Sequence, residues 1–301
     1  MSAYATETTR VSAEELNANF LNKLQAGRIK EAQAETTAFI RAEMREEAFS
    51  RKILTPQLLT AEDLDKSENT DLPRKLVPIE PDSAATFVPF RGTAKRRWFK
   101  GKRFPIYIGM IESERFMKNK FELMTYDEDI VQIISDNSVK DMAAQEDSKF
   151  MTTVRAITSR FPGQVVSATG GLNAANVTAG LKNMVERKVP LGMMLMTESM
   201  YLDALKLPAT AIGDIAASRQ YSEGLTGKSL WGTPVVTTIK NDLVNDNEIW
   251  LFAPENYLGK FYLLQDSTLF IKQEGPMLEF YSYSALGMGF GATRGVTQII
   301  F

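Results

Sequence analysis

The chain of 301 residues is 44% hydrophobic and 24% charged, the balance of a folded globular protein, and no apolar run approaches the roughly 18 residues that span a bilayer. It has no cysteine and no histidine, which excludes disulfides, thiolate metal sites, the Ser-His-Asp triad and any imidazole base together; a structural role is expected rather than an enzymatic one, with no cofactor and no metal. The formal net charge of −2 conceals segregation: residues 1–73 carry 9 Lys and Arg against 13 Asp and Glu, residues 74–120 carry 12 against 4, and the rest carries 14 against 20. A basic segment between acidic ones suits either nucleic acid or an acidic surface on another copy. The length suggests two domains or one with large excursions. Residues 1–10 are polar and threonine-rich, so no secretory signal is expected.

Ser12-Ala13-Glu14-Glu15 is a capping box that opens a helical stretch to about residue 50. Leu16, Phe20 and Leu24, and later Met44 and Ala48, recur at helical spacing, and Gly27 divides the stretch. So narrow an apolar stripe fits an ordinary surface helix or an arm that packs on another subunit. Pro56, Pro73, Pro78, Pro81 and Pro89 then forbid long helices and predict an extended connection. Thr86-Phe87-Val88 before the basic run and Phe104-Pro105-Ile106-Tyr107-Ile108-Gly109-Met110 after it predict a long two-stranded hairpin. Residues 118–125 alternate, with Phe121 and Leu123 on one side, and predict another strand.

A second long helix is predicted over 126–157, with Asp127, Glu128 and Asp129 in its first turn, where the dipole favours negative charge over a bound cation as the explanation. Ile130, Ile134, Met142, Phe150, Val154 and Ile157 form its apolar face, and an irregularity is expected at Asp136-Asn137-Ser138. Residues 172–187 and 198–207 read as helices around a buried run at 191–196, whose Met193, Met194 and Met196 are expected to fill core. Strands follow at 232–238, 249–252, 261–264, 268–272 and 277–283. The class is α+β, with helices early and strands late.

Lys95-Arg96-Arg97-Trp98-Phe99-Lys100-Gly101-Lys102-Arg103 is the most pointed feature, six basic residues in nine with two aromatics. A nucleic-acid-binding protein would use these cations on phosphates and the rings on bases. An assembling protein would set the cations against acids on a neighbour and anchor the rings in its apolar surface. Gly227-Lys228-Ser229 ends like a phosphate-binding loop, but Ser222 stands where the earlier glycine is required.

The order of elements, an arm, an extended loop, a long helix, a mixed domain and late strands, resembles the major capsid proteins of tailed double-stranded DNA bacteriophages, whose fold is named after phage Hong Kong 97. Gly227-Lys228-Ser229-Leu230-Trp231-Gly232-Thr233-Pro234-Val235-Val236 is similar to a strand-opening motif of that family, and 248–251, 259–266 and 287–301 resemble its later strands. The resemblance covers roughly 75–301 and implies an N-terminal arm at 1–73 and an extended loop with flanking strands at 74–118. It also implies a peripheral domain at 119–160, completed by about 276–292, and an axial domain at 161–275, completed by about 293–301. Implied too are self-association into hexamers and pentamers of an icosahedral shell, non-specific packing of double-stranded DNA, and location in a virion assembled in the host bacterial cytoplasm. Further partners are the portal and, where present, scaffold or decoration proteins; no membrane partner is implied. The N-terminal helix is short for the self-cleaved scaffolding segment of some relatives, and no inter-subunit cross-link is assigned. An encapsulin-type compartment around protein cargo is the alternative. With the resemblance, assembly becomes the favoured reading of Arg96, Arg97, Trp98, Phe99, Lys100, Lys102 and Arg103, joined by Leu16, Phe20 and Leu24 as inter-subunit contacts.

Overall fold

A computed structural model describes residues 48–66, 71–79, 85–94, 96, 98, 101–119, 130–206 and 229–301. The expected helical stretch 12–47 with Leu16, Phe20, Leu24 and Met44, together with Phe121, Leu123 and the acidic triplet 127–129, lies outside the described residues. So do the side chains of Ile130 and Ile134.

The described strands form a six-stranded sheet, a five-stranded sheet and a two-stranded ribbon. The six-stranded sheet joins β6 (Val165–Ser167), β7 (Met193–Thr197), β8 (Ser229–Leu230), β9 (Thr233–Thr238), β10 (Glu248–Phe252) and β13 (Val296–Ile300) in the order β6-β13-β10-β7-β9-β8. Interior β10 is buried at every residue, Trp250 included, while Met194, Leu195 and Met196 fill the core from β7 and Met193 packs at its margin. Trp231 and Gly232 link β8 to β9, both with positive φ (47° and 73°), as a two-residue hairpin whose turn matches the strand twist requires. The helices beside this sheet carry side-chain caps. Asn173 accepts the Asn176 N–H at 2.8 Å to open α3 (Ala174–Glu186), and Thr197 caps α4 (Glu198–Leu205).

The five-stranded sheet is built on the hairpin of β11 (Gly259–Glu274) and β12 (Met277–Phe290). β1 (Pro56–Leu58) lies parallel to β11, while β4 (Gly109–Glu112) and β5 (Phe116–Asn119) follow one another beside β12. Stretches predicted as separate strands at 261–264 and 268–272 are one strand, β11, which pairs with β12 and so lies in a different sheet from 165–252. Three irregularities meet at one level of this sheet. The register of β11 shifts twice between Leu263 and Thr268, β4 gives way to β5 at 113–115, and the buried side of β12 changes from Leu278 and Phe280 to Ser282 and Ser284 before Leu286. The hydroxyls of Ser267, Ser282 and Ser284 are buried with no hydrogen-bond partner among the described residues.

Helix α2 (Ile130–Arg160) bridges the sheets and runs unbroken through 136–138, where an irregularity was expected. Its Met142, Phe150, Val154 and Ile157 are buried as predicted. Phe150 packs against Phe252 and Phe290, each with ring centroids 5.6 Å away, and against Phe49 at 6.2 Å in the short α1 (Phe49–Ile53). One turn earlier, Glu146 takes Nε of Arg51 at 2.9 Å and Nη2 at 3.0 Å, and Nη2 also reaches Asp266 of β11 at 3.1 Å. Asp147 accepts the Ser50 N–H at 2.9 Å and Lys240 Nζ at 2.8 Å, supplying the cap that Ala48 lacks. Burial pushes the Glu146 carboxyl above its ordinary range, Arg51 opposing and burial prevailing.

Removing one partner of a buried ion pair strands the others. Arg51→Met is therefore expected to cost about 3–5 kcal/mol in chemical denaturation. Ser284→Ala removes an unsatisfied hydroxyl and should be neutral or stabilising by about 1 kcal/mol.

Candidate functional site

The basic segment stands on a two-stranded ribbon, β2 (Arg74–Ile79) paired antiparallel with β3 (Lys102–Tyr107). The returning strand matches the expected 104–110 only as far as Tyr107; Gly109 and Met110 belong to β4 and pair with β12 instead. The outgoing strand is 74–79 rather than Thr86-Phe87-Val88, which has no regular structure. Leu76 faces Pro105 and Pro78 faces Arg103, so both prolines fall in one class of pair. Ile108 N–H donates to Pro73 O at 2.9 Å, which puts the ladder bonds in the other class and leaves neither proline short of a donor.

The ribbon is seated at its root. Ile106 and Ile108 form a small buried cluster with Leu59 and Tyr262, joined by Phe104 and Val77. β3 lies over the outer side of β12 where Gly287 and Gly289 leave room: a Cβ on Gly289 would stand 2.5 Å from Ile106, and one on Gly287 2.7 Å from Tyr107 O. Going back along β3, Tyr107, Ile106 and Phe104 track Gly287, Gly289 and Gly291 in turn. The ribbon thus leaves the sheet at the Phe290 end of β12, whereas β4 and β5 run toward its Met277 end.

A clasp holds the other side. Lys75 Nζ meets Asp63 at 2.8 Å, Arg74 meets Asp65 at 2.6 Å, and Asp65 N–H donates to Arg74 O at 2.9 Å. Thr60 adds its N–H and hydroxyl to Asp63. The Lys75 ammonium, followed by the Thr60 donors, holds the Asp63 carboxyl down at about 2.

Beyond the seat most of the described side chains point into solvent. Phe87 and Phe90 are fully exposed and Trp98 is 98% exposed. Gly92 N–H donates to Pro89 O at 2.8 Å, closing a turn that displays Phe90 and Arg91. Arg96, Lys102 and Arg103 are exposed; Arg97, Phe99 and Lys100 lie outside the described residues. Pro89-Phe90-Arg91-Gly92 is itself a turn signature that marks Phe90 in the sequence, and Phe87, expected in a strand, stands in irregular chain. Gly227 and Lys228 also lie outside the described residues, and Ser229 sits in β8. Among the described residues no cluster of acidic side chains is arranged to hold a metal ion, and no described helix is long and apolar enough to cross a membrane.

Asp63 binds its proton more weakly folded than unfolded, so the clasp contributes fully above the unfolded value near pH 4 and is lost as pH falls through about 2. Asp63→Asn should flatten that part of the stability profile, measured by denaturation at a series of acid pH values.

No protein-family model matches the sequence, and no curated protein matches it. Solved structures do. A virus-like particle from Pyrococcus furiosus shares 15% identity over 89% of this chain and 99% of its own, with TM-score 0.54. The capsid of Ralstonia phage GP4 shares 10% over 85% and 91%, with TM-score 0.57. Microbacterium phage Oxtober96 shares 9% over 84% and 91%, with TM-score 0.59. At these identities the likeness is one of fold, and it spans nearly the whole of each relative. The chain, mixed helix and sheet with an extended ribbon on one end, has the fold of the tailed-phage major capsid proteins.

Proposed function

We propose that this chain is a major capsid protein, a shell subunit that self-associates into hexamers and pentamers around packaged double-stranded DNA. The observation that carries this reading is a ribbon with three solvent-exposed aromatics, Phe87, Phe90 and Trp98, on a fold shared with capsid proteins. A two-stranded ribbon is marginal in water by itself, and aromatics on it gain a favourable environment only against another surface. Arg96, Arg97, Trp98, Phe99, Lys100, Lys102 and Arg103 make that contact, with Leu16, Phe20 and Leu24 of the N-terminal arm as a second one.

In this reading 1–73 is the arm and 74–118 the extended loop with its flanking strands. Helix α2 and the β11–β12 hairpin form the peripheral domain, joined in one sheet by β1 from the arm and by β4 and β5 flanking the loop, and the six-stranded sheet forms the axial domain. β11 then belongs to the peripheral domain by its pairing with β12. The subunit acts in a virion, after assembly in the host bacterium with portal and, where present, scaffold or decoration proteins, and its near-neutral charge suits a wall that does not hold DNA tightly. The encapsulin-type alternative draws support from the Pyrococcus furiosus virus-like particle, of which this chain covers 99%. The contents of purified shells, nucleic acid or a protein, separate the two.

Electron microscopy and sedimentation of the purified chain should show capsomers or shells. Trp98→Ala should weaken assembly by tenfold or more at any salt, since a buried aromatic anchor carries about 2 kcal/mol or more. Reversing Arg96, Lys102 and Arg103 to Glu should weaken it most at low salt. Intact assembly with lost DNA binding in these variants would establish a nucleic-acid clamp instead.

A further inference from the structure

The buried side of β12 reads Leu278, Phe280, Ser282, Ser284, Leu286, so two small polar side chains interrupt a row of large apolar ones. Thr268 pairs with Tyr283, which sets Ser267 of β11 beside Ser284. All three serines are fully buried, and none of their hydroxyls has a hydrogen-bond partner among the described residues. Ser138 of α2, the helix that packs on β12, is in the same condition. Counting back from the contact of Phe150 with Phe290, twelve residues of helix and six of strand each span about 18–20 Å, which brings Ser138 to the level of Ser284. Hydroxyls from one helix and two strands thus gather at the level where the β11 register shifts.

We propose that this polar seam between α2 and the β11–β12 hairpin is a hydration site, in which ordered water bridges Ser267, Ser282, Ser284 and Ser138. Spacing selects a bridge over a direct bond. Residues two apart on one side of a strand stand about 7 Å apart, too far for Ser282 and Ser284 to bond each other, whereas a water between two hydroxyls spans about 5.6 Å. Buried water makes about three hydrogen bonds, and a hydroxyl both donates and accepts, so the serines suffice to hold it. Charge selects water over an ion. Asp266, next to Ser267, repels an anion, and the Arg51 guanidinium, which Asp266 and Glu146 hold at 3.1 and 2.9 Å, repels a cation. The water joins α2 to the sheet where apolar contact lapses, and so keeps the irregular level of β11 and β12 ordered.

Two measurements test the site, and neither depends on the shell reading. A density map of the purified protein, as a shell or as the free chain, at a resolution that shows water should carry a peak within about 3.2 Å of at least two of these hydroxyls. In chemical denaturation, Ser284→Ala alone leaves the water three partners and costs nothing, but Ser267→Ala, Ser282→Ala and Ser284→Ala combined should shift the midpoint below that of the native chain. In a dry seam each hydroxyl removed relieves a further desolvation penalty, so the combined variant is then more stable than any single one. No peak, or a midpoint that rises with each substitution, overturns the proposal. Should the combined variant fail to fold, the density of the native protein decides.

Discussion

The Arg51 guanidinium lies where three parts of the chain meet, and the arrangement of both sheets depends on the contacts around it. It reaches Glu146 on α2 and Asp266 on β11, while neighbouring Asp147 holds Lys240, two residues beyond β9, and the Ser50 N–H. Ions in a dry interior tolerate little displacement, because attraction must be matched by geometry to offset lost hydration. The cluster therefore fixes where the residues that follow 48 enter the core and how the long helix lies against each sheet. Phe150 adds the apolar counterpart one turn on, touching α1, β10 and β12 with a single ring.

Periodicity was a sound guide wherever one face of an element is buried and the other is not. Val154 and Ile157 on α2 were legible for that reason, whereas β7, buried on both faces from Met194 to Thr197, was legible as a continuous apolar run instead. What failed was local in a different sense. The stretch 74–79 forms a strand because its Pro78, like Pro105 across the ribbon, falls on a non-ladder pair, a matter of register with β3 that no single segment reveals. The expected break at 136–138 is absent, since the helix continues across small polar residues that elsewhere favour turns.

The site was legible in composition and hidden in placement. Six basic residues with Trp98 marked the segment, but its seat depends on residues distant in sequence: Gly287 and Gly289, whose missing side chains admit Ile106, and Asp63 and Asp65, whose carboxylates clasp Lys75 and Arg74. Each reads alone as an ordinary strand glycine or a solvated acid. Only folding shows them converging on one ribbon.

The ribbon's two ends meet opposite demands. At the root, an apolar cluster, a glycine notch and two ion pairs fix its direction; toward the tip, Phe87, Phe90 and Trp98 touch none of this support. A rigid base under an exposed aromatic tip lowers the ordering cost of a contact that lies outside the chain, because the direction of approach is set beforehand. The sheet beneath the ribbon is irregular midway, at the β11 register shifts and at Ser267, Ser282 and Ser284, whose hydroxyls have no hydrogen-bond partner among the described residues. Ideal pairing and a continuous apolar layer would make that sheet stiffer, so its pairing is weakest between the firmly seated root and the Met277 end.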